Sequence, residues 1–184
     1  MAAPVQDAIV LLGDSITQYG WEAGCFAQRL SQDYVRKLDV INRGFSGYNT
    51  EWAIPVFRQC LATPEKQVLG KRVEIGLPAD REFEVTRKYA EAAKAVGEKE
   101  GIPVVDVWTA IWEAAGKEQE GLEKYLIDGL HLTVAGYNIV YERLIKVIKE
   151  ELPELYHENL PVVFPLWDKI DVNNPLRSLE RTEV

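Results

Sequence analysis

The sequence predicts an α/β fold in three layers, helices on both faces of a parallel sheet, and three observations carry that prediction. Short apolar runs of strand length, Ala8–Leu12, Val40–Ile41 and Ile102–Trp108, alternate with longer stretches whose apolar residues recur at helical spacing. That order is what a parallel sheet covered on both faces demands. The first run is closed by Gly13-Asp14-Ser15, which leaves a hydroxyl at the carboxyl end of a buried strand, the end where ligands bind in open α/β sheets.

Taken in order, helical spacing runs from Trp21 through Leu30 and Tyr34 to Leu38. Val40–Arg43 reads as the second strand. It is ended by Gly44-Phe45-Ser46-Gly47, where two glycines mark a turn of positive φ or of close backbone approach. A helix from Glu51 to Leu61 follows. Residues 62–80 are less orthodox, with Val73–Leu77 alternating as an edge strand or an extended connector would. The next helix spans Asp80 to Glu100, places Phe83, Val85, Tyr89, Ala92, Ala93 and Val96 on one stripe, and ends near Gly101. Ile102–Trp108 reads as a strand entered through Pro103, and Ala110–Ala115 as a short helix. Thr133 opens the last long helix, with Ile139, Val140, Leu144 and Ile148 on its inner face. The tail from Pro153 is expected to pack back and to fray past Asn173, giving one domain over residues 1–170 and a frayed tail over 171–184. The five tryptophans, Trp21, Trp52, Trp108, Trp112 and Trp167, are expected in core or rim packing.

Bulk properties narrow the function. A chain of 184 residues with 47% hydrophobic and 27% charged residues is large enough for a real core. A net charge of −8 argues against nucleic acid, whose phosphates are held by clustered lysine and arginine. The amino terminus lacks a basic start followed by a long apolar segment, so no membrane span is expected and the expected compartment is the cytoplasm. Cys25 and Cys60 lack metal-ligand spacing and read as buried thiols in a reducing environment.

Ser15 is the first nucleophile candidate, and a serine needs a base to remove its proton. The choice lies between His131 and His157. His131 follows Asp128 by three positions with Gly129 between them, a spacing that lets the carboxylate reach the far imidazole nitrogen and fix its tautomer. His157 sits in a polar tail without such a neighbour. Asp14 reads as an acceptor that holds the serine turn, and Asp106 has no histidine near it in sequence.

Gly13-Asp14-Ser15 near the amino terminus, Gly44 after the second strand and Asp128-Gly129-Leu130-His131 near the carboxyl terminus together resemble the SGNH (GDSL-type) hydrolases. Within them the likeness is to the isoamyl acetate-hydrolysing esterases, over residues 7–62 and 80–170. The resemblance implies a flavodoxin-like sheet and hydrolysis of short-chain acyl esters. Ser15 would attack, His131 would act as base and then acid, and Asp128 would orient it. The backbone N–H groups of Ser15 and Gly44 would face the oxyanion. It implies a small-molecule ester as partner and neither metal nor organic cofactor, and it leaves a homodimer open. The chain departs from the pattern in two places, one of them a later strand that leads to a proline-rich turn and cannot be found here. The family's Gly-x-Asn-Asp strand end, whose asparagine is a third oxyanion donor, is absent, as if an internal segment within 62–80 were missing together with one or two central strands. Two other readings stand beside the esterase: a truncated, inactive relative, and a flavodoxin-like binding module. Asp14 argues against the module, because a carboxylate in that loop repels phosphate.

Overall fold

The computed structural model describes residues 6–60 and 83–179. The expected edge strand at Val73–Leu77, the first residues of the helix expected from Asp80, and the break within 62–80 lie outside the described residues. The fold is α/β with a parallel sheet, compatible with the three-layer expectation. Strand β1 (Ala8–Gly13) runs through helix α1 (Ser15–Tyr19) and helix α2 (Phe26–Asp33) into strand β2 (Asp39–Gly44). The two strands pair in parallel from Ala8 opposite Asp39 to Gly13 opposite Gly44. Helix α3 (Thr50–Cys60) follows. After the undescribed stretch come α4 (Phe83–Glu100), α5 (Val107–Ala114), α6 (Val134–Glu151) and the short α7 (Pro175–Ser178).

The core lies between α2, α5 and α6 on one face of the sheet. One cluster gathers Cys25, Phe26 and Ala27 at the start of α2 with Ile111, Tyr125, Leu132 and Tyr137. A second joins Leu30, Tyr34 and Leu38 to Leu160, and Ile9, Leu11 and Val40 of the strands pack against it. Side chains alternate across a sheet, so Val10, Leu12 and Ile41 point to the other face and join neither cluster. No residue of the wholly apolar β1 is fully buried. Among the described residues its only strand partner is β2.

Several expectations need correction. Ile102–Trp108 is not a strand: residues 102–106 have no regular structure, and α5 starts at Val107. Asp106 caps that helix by accepting from the Thr109 N–H at 3.0 Å, which ends that run two residues before Trp108. A parallel strand also needs a neighbour for its backbone groups, and among the described residues this segment has none. The helix expected from Trp21 starts only at Phe26, because Gly24 takes a φ of +80° and turns the chain before Cys25. The apolar stripe of α4 is largely in solvent, with Val85, Tyr89 and Val96 exposed. Only at its ends does this helix find cover, Phe83 against Trp108 and Trp112 and Gly97 against Val104. Trp21, Trp52 and Trp167 are likewise exposed, whereas Trp108 and Trp112 pack. The tail, expected to fray past Asn173, instead turns at Asp171, whose carboxylate accepts from the Asn173 N–H, and forms α7.

Residues 153–165 do pack back, as expected. Val163 donates its N–H to the Arg36 carbonyl at 2.7 Å, and the buried Tyr34 hydroxyl donates to the Leu155 carbonyl at 2.6 Å. Between α2 and α6, Arg29 lies 3.6 Å from the centre of the Tyr141 ring, and the Tyr141 hydroxyl donates to Asp33. Burial, and then the neighbouring Asp33, push both phenols up to about 12. The sign follows. An unfolded tyrosine ionises near pH ~10, so the stability these phenols contribute is complete below that value and is lost as pH rises through the folded values. Urea unfolding from neutral to strongly alkaline pH is expected to show that loss in its midpoint. Tyr34→Phe, which leaves the Leu155 carbonyl without its donor, is expected to cost about 1–2 kcal/mol at neutral pH.

Candidate active site

Ser15 is the first residue of α1 and is buried, at 7% exposure. Its turn is built locally. Asp14 is the N-cap and accepts the Ile16 N–H at 2.9 Å, so the carboxylate serves the helix start and leaves the next side chain at the end of β1. His131 is brought in from the opposite end of the chain by a loop that is equally local. Asp128 Oδ1 accepts the N–H groups of Leu130 at 3.0 Å and His131 at 2.8 Å. Gly129 takes a φ of +81°, which favours glycine. The Ile127 N–H donates to the His131 carbonyl at 2.8 Å, and Leu126 bridges Leu132 to close the base of the loop. Below it, Thr133 caps α6 by accepting the Gly136 N–H and donates to the Lys124 carbonyl at 2.8 Å.

The two turns meet. Ser15 Oγ lies 3.0 Å from His131 Nε2, and Asp128 Oδ2 lies 2.7 Å from His131 Nδ1. Hydrogen bonds from the His131 ring and then from its backbone N–H hold the Asp128 carboxyl well below the usual carboxylate range. An ionised Asp128 accepts the Nδ1 proton, which leaves Nε2 free to accept from the serine hydroxyl. The Tyr19 ring stands edge-on to the imidazole, with centroids 6.1 Å apart. His157 lies elsewhere. Its ring packs on Tyr34 and Tyr156, and its carbonyl accepts from Lys37.

Gly44 closes β2 directly against α1, and a Cβ there would strike the backbone of Gln18 and Thr17. Its N–H, expected to face an oxyanion, is donated to Asn42 Oδ1 at 2.7 Å. Cys25 is buried, and burial followed by the charge of Glu22 pushes its thiol up; the Cys60 side chain lies outside the described ones. No cluster of three metal-ligating residues occurs among the described residues. A cleft of about 520 Å³ lined by Lys94, Glu98, Ile102, Glu151 and Leu152 shares no residue with the Ser15 site.

Sequence reasoning missed two residues here. Tyr137 donates its hydroxyl to the Ile16 carbonyl at 2.9 Å, tying α6 to α1, and burial raises its phenol above its ordinary range. Its position four residues after the Thr133 cap was the available signal. Asn42 spans from β2 to α1; an asparagine two residues before a glycine turn was the signal there.

Three relatives share most of the chain's length. The human isoamyl acetate-hydrolyzing esterase 1 homolog is 26% identical over 235 aligned positions, covering 93% of this chain and 91% of the relative. A GDSL esterase/lipase of Arabidopsis thaliana is 26% identical over 242 positions, covering 94% and 97%. The isoamyl acetate-hydrolyzing esterase of Saccharomyces cerevisiae is 23% identical over 238 positions, covering 94% and 99%. The chain is similar over most of its length to isoamyl acetate-hydrolyzing and GDSL-type esterases. No family model matches it. Each alignment is longer than its 184 residues, so the relatives carry several tens of residues that have no counterpart here. No helix among the described residues is long and apolar enough to cross a membrane.

The geometry sets two expectations. The Asp128 carboxyl stays ionised in an NMR titration at a pH where exposed carboxyls of ordinary value, near ~4, have taken up their protons. The stability that Asp128 contributes is present above that value and lost as pH falls below it. Tyr137→Phe leaves the Ile16 carbonyl unpaired and is expected to cost about 1–2 kcal/mol in urea unfolding.

Proposed function

We propose that this chain hydrolyses short-chain acyl esters of the acetate type, with Ser15 as nucleophile, His131 as base and then acid, and Asp128 as the residue that orients the imidazole. The observation that carries the reading is the continuous line of contacts, 3.0 Å from Ser15 Oγ to His131 Nε2 and 2.7 Å from His131 Nδ1 to Asp128 Oδ2. The Ser15 hydroxyl gives its proton to Nε2 as Oγ forms the bond to the ester carbonyl carbon, and the carbonyl oxygen takes the negative charge. His131 returns the proton to the departing alcohol as the C–O bond breaks. Water, deprotonated by the same imidazole, then releases the acid and restores Ser15. The Ser15 N–H, at the first turn of α1, faces the developing oxyanion. The Gly44 N–H joins it only when Asn42 Oδ1 gives way, because that donor is engaged in the resting site. No metal or organic cofactor takes part in this route, and the substrate is a small molecule handled without nucleic acid.

The segment that the relatives carry and this chain lacks lies, in this reading, within 62–80, and with it goes the asparagine donor of the Gly-x-Asn-Asp block. Loss of one oxyanion donor costs about 10²–10³ in turnover. A second reading, a chain that keeps the constellation with turnover abolished, is favoured by the half-exposed β1 and by the engaged Gly44 N–H.

Hydrolysis of p-nitrophenyl acetate by the purified chain separates the two. Turnover is expected, with Ser15→Ala and His131→Ala each lowering kcat by about 10⁴-fold or to background. Asp128→Asn is expected to cost a large part of the same factor, because the tautomer is no longer fixed. Activity that survives Ser15→Ala overturns the assignment of the nucleophile. A folded wild-type chain without turnover and without fluorophosphonate labelling at Ser15 supports the second reading.

A further inference from the structure

We infer that Asn42 is a positioning residue that sets the nucleophile helix against the Gly44 turn, an inference that rests on the esterase reading above. One side chain makes three main-chain bonds across two elements. Its Nδ2 donates to the carbonyls of Thr17 at 2.9 Å and Gln18 at 3.2 Å in α1, and its Oδ1 accepts the Gly44 N–H at 2.7 Å. The carboxyl half of α1 and the end of β2 are in direct contact, since any Cβ on Gly44 would run into Gln18 and Thr17. Gln18 repeats the link outward by accepting the Ser46 N–H at 3.0 Å. The Phe45 N–H donates to the Gly13 carbonyl at 2.8 Å, carrying the strand pairing one residue past β2.

Two consequences follow from this wiring. Asn42 fixes the distance between the Ser15 and Gly44 amides, the two main-chain donors on either side of the contact. It also supplies the resting acceptor for the Gly44 N–H, so the donor is satisfied until a substrate oxygen competes for it. An aspartate has the same shape but not the same chemistry. Ionised, it still accepts from Gly44 but turns a negative oxygen toward two carbonyls. Protonated, it regains the donor and imitates the amide.

The test compares wild type, Asn42→Ala and Asn42→Asp in kcat, KM and pH profile with p-nitrophenyl acetate. Asn42→Ala is expected to lower kcat by about 10²-fold, the scale of a small misplacement of reacting groups, with KM within about threefold of wild type. The ratio of Asn42→Asp to wild-type kcat is expected to climb as pH falls toward the carboxyl range near ~4–5, because titrations common to both proteins cancel in it. A merely structural lesion gives no such climb. The inference is overturned by an Asn42→Ala kcat within about twofold of wild type, by a loss carried wholly in KM, or by a flat Asn42→Asp ratio. Should Asn42→Ala fail to fold, the isosteric Asn42→Asp decides alone. Amide hydrogen exchange keeps the two ideas separable when the wild type shows no turnover. A Gly44 N–H that exchanges about tenfold faster in the variant than in wild type leaves the clasp standing while the esterase reading falls, and equal rates remove the clasp.

Discussion

The packing of α6 on α2 is the constraint on which the rest of this structure depends. Phe26 stacks on Tyr137, Arg29 covers the Tyr141 ring and bonds Asn138, and Tyr137 reaches past them to the Ile16 carbonyl. Without that seam the opening and closing turns of the polypeptide have no reason to meet, since Ser15 and His131 are 116 positions apart in sequence. Closing so long a loop costs entropy that the single contact between a hydroxyl and an imidazole does not offset. Burial along the seam supplies the difference, at about 1.5–3 kcal/mol for each large side chain. The 3.0 Å approach of Ser15 and His131 is therefore a product of helix packing.

The sheet contributes less than its apolar strands suggest. A run such as Ile9-Val10-Leu11-Leu12 belongs in a strand covered on both faces, yet here only alternate residues find the core. Backbone groups on an open edge can bond to water, so the larger cost is the apolar surface left half in solvent, at about 25 cal/mol for each Å² not buried. The same shortage appears in α4, whose apolar stripe is largely in solvent, and in residues 102–106, which join no strand among the described residues.

What could be read from the sequence followed from how local each signal was. The cap at Asp14, the Asp128-Gly129 turn and the cap at Thr133 are each written within four residues, and all three are found where the residue pattern puts them. The end of α4 was equally legible, since Gly101 takes a φ of +64° and the Ile102 N–H returns to the Gly97 carbonyl. Ile102–Trp108 was misread because apolar periodicity cannot say whether a partner strand exists. The start of α2 was misread because helical spacing from Trp21 does not reveal the left-handed turn that Gly24 forms. Tyr137 and Asn42 act across elements, so their local spacing marks a position but not the partner each one reaches.

The turns that carry Ser15 and His131 are each fastened by local bonds and by bonds to or within α6. Ser15 is held by Asp14 and by the Ile16 carbonyl bond to Tyr137. His131 is held by Asp128 and by the Thr133 cap, and both sets lie on the α2 and α6 side of the sheet. The Gly44 side is different. Its amide closes β2, and Asn42 ties it to the carbonyls of Thr17 and Gln18 in α1, so this half of the arrangement registers any change in strand spacing. The imidazole and its carboxylate are held instead by loop bonds and by the cap of α6, so the two halves are supported by separate parts of the fold.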